Sequence, residues 1–107
     1  MTATVDAALL LSREQPFDVA RLDRDGRLHR IRPGAYVPKN KWDAHQPWER
    51  YGLRVLAVAR VWKSPVFCLE SAAVLQGLPI FGEPPHIHVL GADGRAWAEG
   101  DVIVHGP

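Results

Sequence analysis

Six side chains within twelve residues, Arg21, Arg24, Arg27, His29, Arg30 and Arg32, form the densest group in this 107-residue chain whose chemistry points to a ligand. A guanidinium is a planar fork of donors that pairs bidentately with phosphate or with the edge of guanine, so arginines crowded on one segment suit a polyanion. The same residues also serve to keep a strand edge charged and unpaired with other chains. What separates the two roles is whether the side chains converge on one face.

A second group is His86, His88 and His105 with Cys68, since imidazole and thiolate are both zinc donors. The i, i+2 spacing sets His86 and His88 on one strand face, but no CxxC, HExxH or carboxylate cluster accompanies them, and no metal or cofactor is expected. Cys68 follows Val66 and Phe67 in an apolar run and reads as an inert buried thiol. Ser71 lacks a GxSxG elbow, and Gly94 and Gly100 are turn residues rather than a phosphate loop. Nothing assembles a nucleophile, a base and an oxyanion site, so the chain is not expected to be an enzyme.

The element that positions the rest is a predicted helix over Pro47 to Lys63, in which Trp48, Tyr51, Val55, Val58, Ala59 and Trp62 recur at three- and four-residue steps. Pro47 suits the first helical position, Glu49 lies in the first turn, and Pro65 ends it. Arg50 and Arg54 share a face and are expected to make local ion pairs. Before it, Val5 to Glu14 predicts a short buried helix, and Phe17 to Arg24 one or two turns with Phe17, Val19, Ala20 and Leu22 inward and Arg21 and Arg24 outward. Gly26 to Pro38 predicts a β-hairpin bent at Arg32-Pro33-Gly34-Ala35, a type II turn that sets Ile31 opposite Tyr36 and Arg30 opposite Val37. Four of the six basic residues then ride on that ribbon, a shape that reaches along phosphates or into a minor groove. Lys39 to Gln46 reads as an irregular linker. After the long helix come a β-prone run at Pro65 to Cys68, a helix over Leu69 to Gln76 stopped by Gly77, a strand at His86 to Leu90, a turn at Ala92-Asp93-Gly94 and a partner strand at Asp101 to His105.

Composition bounds these expectations. The length and apolar content suit one globular unit, read as an N-terminal half (1–38) with a second half (39–107) packed on it. A single cysteine, no apolar run long enough to span a membrane and no basic residue before Ala7 to Leu11 point to a cytoplasmic protein with no membrane partner. The net charge is only +1, but Arg13 to Lys63 holds twelve of the thirteen Lys and Arg against six of the twelve acids, net +6, leaving −5 elsewhere.

The order GRLHRIRPGAYVP, PWERYGLRVLAVAR, PVFCLESAAVLQGLP and HIHVL resembles the N-terminal part of AbiEi-type antitoxins, predicted transcriptional regulators of type IV toxin–antitoxin systems, over roughly Phe17 to His105. The resemblance implies an α+β fold: an abbreviated winged helix-turn-helix with a basic β-hairpin wing, followed by a long helix, a short helix and a small β-sheet. It implies DNA binding, with Arg27, His29, Arg30 and Arg32 on the wing and Arg21 and Arg24 on the recognition segment Asp18 to Arg24. Only about 25 residues precede the hairpin, so the helices before it are expected to be shortened, and the chain is expected to be a short form or a fragment lacking an effector domain. The expected partners are double-stranded DNA, a second copy as a homodimer, and a cognate toxin or other protein. The rival expectation is a non-catalytic protein-interaction module, or a truncated part of a nuclease-bearing relative; there the apolar second half or an open sheet edge docks a partner.

Overall fold

Helix α3, Pro47–Val61, is the shared wall of two cores, and the chain is laid out on either side of it. In the computed structural model, which describes residues 8–91 and 93–106, its start follows the predicted chemistry: Pro47 occupies the first turn and the Glu49 carboxylate accepts the Gln46 amide hydrogen at 2.8 Å. It ends at Val61, two residues before the predicted Lys63. Trp62 turns extended, which carries its ring onto Trp97 with ring centroids 5.7 Å apart.

Tyr51, Val55 and Val58 form the predicted stripe, buried against Val74, Ile87, Val89, Val102 and Val104. Trp48, assigned to the same stripe, is exposed, because it lies in the first turn beyond the reach of that core. The unpredicted feature is a second buried face, Leu53 and Ala57, which lies about 200° around the helix from Tyr51 and Val55. A three-stranded sheet covers that face.

The first sheet has the order β1-β3-β2, with β1 at Leu10–Leu11, β2 at Leu28–Arg32 and β3 at Ala35–Pro38. Residues 8–14 therefore do not form the helix expected at Val5 to Glu14, whose first three positions lie outside the described residues. An all-apolar run carries no period of its own, and antiparallel pairing of Leu10 with Tyr36 and Leu11 with Ala35 decides for a strand. The hairpin turns at Arg32 to Ala35 as predicted, with Gly34 at φ +84°, but its register differs. A type II turn twists against the strands, and the ladder recovers through a bulge at Ile31, so that Arg30 faces Tyr36 and His29 faces Val37. Helix α1, Pro16–Arg24, buries Val19, yet Phe17, expected inward, is 89 % exposed. Lys39–Ala44, expected as irregular linker, is a short helix, α2, whose Trp42 packs on the first core.

The second sheet has the order β4-β5-β7-β6, with β4 at Val66–Phe67, β5 at Ile87–Leu90, β6 at Trp97–Glu99 and β7 at Val102–His105. Helix α4, Leu69–Leu75, follows β4 and ends before Gly77 as predicted. The partner expected for the His86 to Leu90 strand is β7, and the two run parallel, Ile87 opposite Val102 and Leu90 opposite His105. The unpredicted strand β6 allows that parallel course, because it carries the chain back before β7 starts. Gly100, at φ +56°, is the first residue of the two-residue β6–β7 turn, the type II′ position that favours glycine. Among the described residues the fold is α+β, with four helices and two small sheets.

Candidate functional site

The six basic candidates fall into two groups. Arg24 lies in the last turn of α1, Arg27 follows the Gly26 turn, and Arg30 sits on β2; all three are exposed with no side-chain partner among the described residues. The Arg27 amide hydrogen bonds the Leu22 carbonyl at 3.0 Å, and the Arg27 carbonyl accepts the Lys39 amide hydrogen, so the end of α1, the start of β2 and the start of α2 share one corner. Asp23 and Asp25 partly offset its charge. Arg21 is also exposed and pairs with Asp18 at 3.4 Å, one turn back.

His29 and Arg32 are turned inward instead. The His29 ring stacks on Trp42, centroids 4.1 Å apart and planes 16° apart, and burial holds its pKa below 6.5. It therefore meets a neutral-pH ligand uncharged. The Arg32 side chain is 10 % exposed, bonds Asp101 at 3.1 Å and lies 5.9 Å from the Trp62 ring centre. The hairpin tip, Arg32 and Pro33, borders a cleft with Val61, Trp62, Glu99, Gly100 and Asp101, so it rests on the second half of the molecule.

Arg32 belongs to a cluster that the sequence did not announce. The other carboxylate oxygen of Asp101 accepts Arg54 Nη2 at 2.9 Å and Nε at 3.2 Å, and Arg54 Nη1 pairs with Glu83 at 3.1 Å. Arg54 also donates to the Pro84 carbonyl at 2.8 Å and the Pro85 carbonyl at 2.6 Å. Two cations and two carboxylates thus tie β2, α3, the segment before β5 and the β6–β7 turn together. The local ion pairs expected of Arg50 and Arg54 do not form: Arg54 reaches partners 29 to 47 residues away, while Arg50 bonds the Trp42 and Asp43 carbonyls. No spacing rule in one dimension reveals such partners.

No known protein family, curated protein or solved structure matches the chain. Its chemistry is therefore read from its own residues.

The histidine group gathers on the open face of the second sheet. His88 Nδ1 is 2.9 Å from His105 Nε2, His88 Nε2 is 3.3 Å from Glu70, and the His86 and His88 ring centres are 6.4 Å apart. Among the described residues no three His, Cys, Asp or Glu side chains are grouped to hold a metal ion. Cys68, expected to be buried, is only partly so; burial raises the pKa of its thiol, and Glu70 adds to that. Below this face Tyr51, Ser71 and the β5 backbone form a closed network. The Tyr51 hydroxyl donates to the His86 carbonyl at 2.8 Å and meets Ser71 Oγ at 2.8 Å, and Ser71 Oγ accepts the His88 amide hydrogen at 2.8 Å. Every polar atom there is used, which makes it a brace between helices and sheet.

His88, like His29, has its pKa lowered, first by burial, with His105 and His86 adding to the shift and Glu70 opposing it. Unfolding frees both rings to bind protons near 6.5, so the stability they contribute is present above that value and lost as the pH falls through their lower folded values. Urea unfolding at about pH 7.5 and about pH 5.5 should show the midpoint falling in acid, and a His29→Gln, His88→Gln double variant should show a smaller fall. An equal fall in the variant would assign the effect to other groups.

Proposed function

We propose that this chain is a non-catalytic DNA-binding protein, an antitoxin-like transcriptional regulator whose abbreviated winged-helix half contacts double-stranded DNA through Arg24, Arg27 and Arg30. The observation that carries the reading is the division among its arginines. Arg32, Arg50, Arg54 and Arg60 are engaged with groups of the protein, whereas Arg24, Arg27 and Arg30, like Arg13, are exposed without a carboxylate partner among the described residues. Exposed guanidinium groups without a direct carboxylate partner are what phosphate binding requires, and Lys39, whose amide hydrogen bonds the Arg27 carbonyl, adds a further cation near Arg27. The hairpin acts at its base rather than its tip, because Arg32 is held by Asp101. A footprint of this size neutralises few phosphates, so binding is weak, strongly salt-dependent and mainly to the backbone.

Fluorescence anisotropy with random-sequence duplex across a salt series tests this. Affinity should fall steeply with salt, and an Arg24→Ala, Arg27→Ala, Arg30→Ala triple variant should bind more weakly, with a log–log slope shallower by about 0.9 for each phosphate left unneutralised. Arg32→Ala should leave the slope unchanged. Undetectable low-salt binding, or a triple variant equal to the parent, would end the proposal.

A second reading, a protein-interaction module, is favoured by one observation. Trp62, Val66, Leu90 and Trp97 line an open, mainly apolar cleft of 360 Å³ at the far end of the second sheet. Apolar surface of this kind suits a protein partner.

A further inference from the structure

We infer that His88 and His105 form an acid-released latch across the β5–β7 seam, a bridge that holds while one proton lies between the two rings and opens when both facing nitrogens carry one. The inference does not depend on the DNA-binding reading. β5 and β7 are the inner strands of the second sheet, so this parallel pair joins its β4 side to its β6 side. His88 Nδ1 and His105 Nε2 meet at 2.9 Å, with ring centres 5.1 Å apart and planes tilted by 33°. A contact of that length between two imidazole nitrogens requires one N–H and one lone pair.

Glu70 sets the direction of the bridge. Its carboxylate lies 3.3 Å from His88 Nε2, where a lone pair would face a negative charge, so Nε2 carries the hydrogen. Neutral His88 then has its lone pair on Nδ1, and His105 must donate from Nε2. That leaves His105 Nδ1 bare, with no hydrogen-bond partner among the described residues. A first added proton enters at this bare nitrogen and leaves the bridge intact as a charge-assisted hydrogen bond. A second has only His88 Nδ1 to enter, which turns the acceptor into a donor and sets two cations against each other across 2.9 Å.

The other titratable groups around His88 are His86 on its own strand, Cys68 at the end of β4, whose amide hydrogen bonds the His88 carbonyl, Glu70 on α4, and Tyr51 on α3, which reaches the His88 amide through Ser71. From β6, Ala98 opposite Ile103 shares the open face with His105 and carries no charge. Burial lowers the His88 pKa, with Glu70 opposing and His105 and His86 adding to the shift, so the bridge is whole at neutral pH and lost as the pH falls through that lowered value. The His88 side chain is only 16 % exposed and has little room to swing away, so the displacement falls on His105, the last residue of β7. There the Gly91 amide hydrogen bonds the His105 carbonyl at 2.9 Å and closes the ladder. Opening the bridge frays this end of the seam. Leu90, Gly91 and Val104 beside it line the apolar cleft, which acid therefore remodels.

Two NMR measurements on the whole chain test the latch: the titration of each imidazole, and amide hydrogen exchange at about pH 7.5 and about pH 4.5, corrected for the intrinsic rate. The Ile87 amide, bonded to the Asp101 carbonyl at 2.8 Å, closes the other end of the ladder and serves as the reference. In acid, Gly91 should lose protection by at least about tenfold more than Ile87. His105→Ala should leave Gly91 less protected at both pH values and raise the His88 titration midpoint by about one pH unit, because the facing cation is gone. His105→Gln should keep Gly91 protected at both, since an uncharged amide can turn either its N–H or its oxygen toward His88. Gly91 and Ile87 responding alike in the parent, either variant keeping the parent's acid response, or a His88 midpoint unmoved by His105→Ala would each overturn the inference.

Discussion

Replacing Asp101 by Asn is expected to cost about 3 kcal/mol of folding stability, a large effect for a substitution on a turn. The side chains of Arg32 and Arg54 are only 10 % and 14 % exposed, and Asp101 is the carboxylate they share, one oxygen for each. Asn keeps the size and the turn preference but removes the charge, so two mostly buried guanidinium groups lose their common counter-ion and only Arg54 retains another, Glu83. Partial exposure of Asp101 reduces the loss below that of a fully buried pair. Urea unfolding reads it directly. The comparison is Asp18→Asn, which breaks an exposed pair within α1 and should change little. A loss under about 1 kcal/mol for Asp101→Asn would mean that water replaces the carboxylate and that the cluster does not tie the two sheets together.

Leu53→Ala should cost about 3 kcal/mol as well, by a different mechanism: removal of a fully buried side chain on the less obvious face of α3, with a cavity left against Val37. Its reach tests the architecture. Because α3 supplies Leu53 and Ala57 to one core and Tyr51, Val55 and Val58 to the other, a loss on one side should lower the stability of both. Native-state hydrogen exchange should show the amides of β7 losing as much protection as those of β3. Protection lost in β3 and kept in β7 would make the two sheets independent units.

The parts of the fold legible in the sequence are those governed by near neighbours. Pro47 and Glu49 mark the start of α3, Gly77 the end of α4, and Pro33-Gly34 the hairpin turn; each acts through its own backbone and a few adjacent residues. The alternation in His86 to Leu90 likewise placed the histidines on one face and Ile87 in the core. Where expectation and fold differ, a distant partner had decided. Leu10 and Leu11 are as compatible with a helix as with a strand, and β3 claims them as a strand. Ile31 gives no hint that it is the extra residue of a bulge, since the bulge is a response to the twist of the turn beside it.

For the candidate site the division is the same. Residue order alone concentrates the cations between Arg13 and Lys63 and sets Arg24, Arg27 and Arg30 close along the chain, because charge and local spacing are carried by residue type. Which of those cations remain exposed was settled by folding. Arg32 and Arg54 are neutralised by Asp101, 69 and 47 residues further on, and His29 is discharged by burial against Trp42. Coulombic attraction and desolvation act through space, and in one dimension Arg24, Arg27 and Arg30 are indistinguishable from the arginines drawn inward.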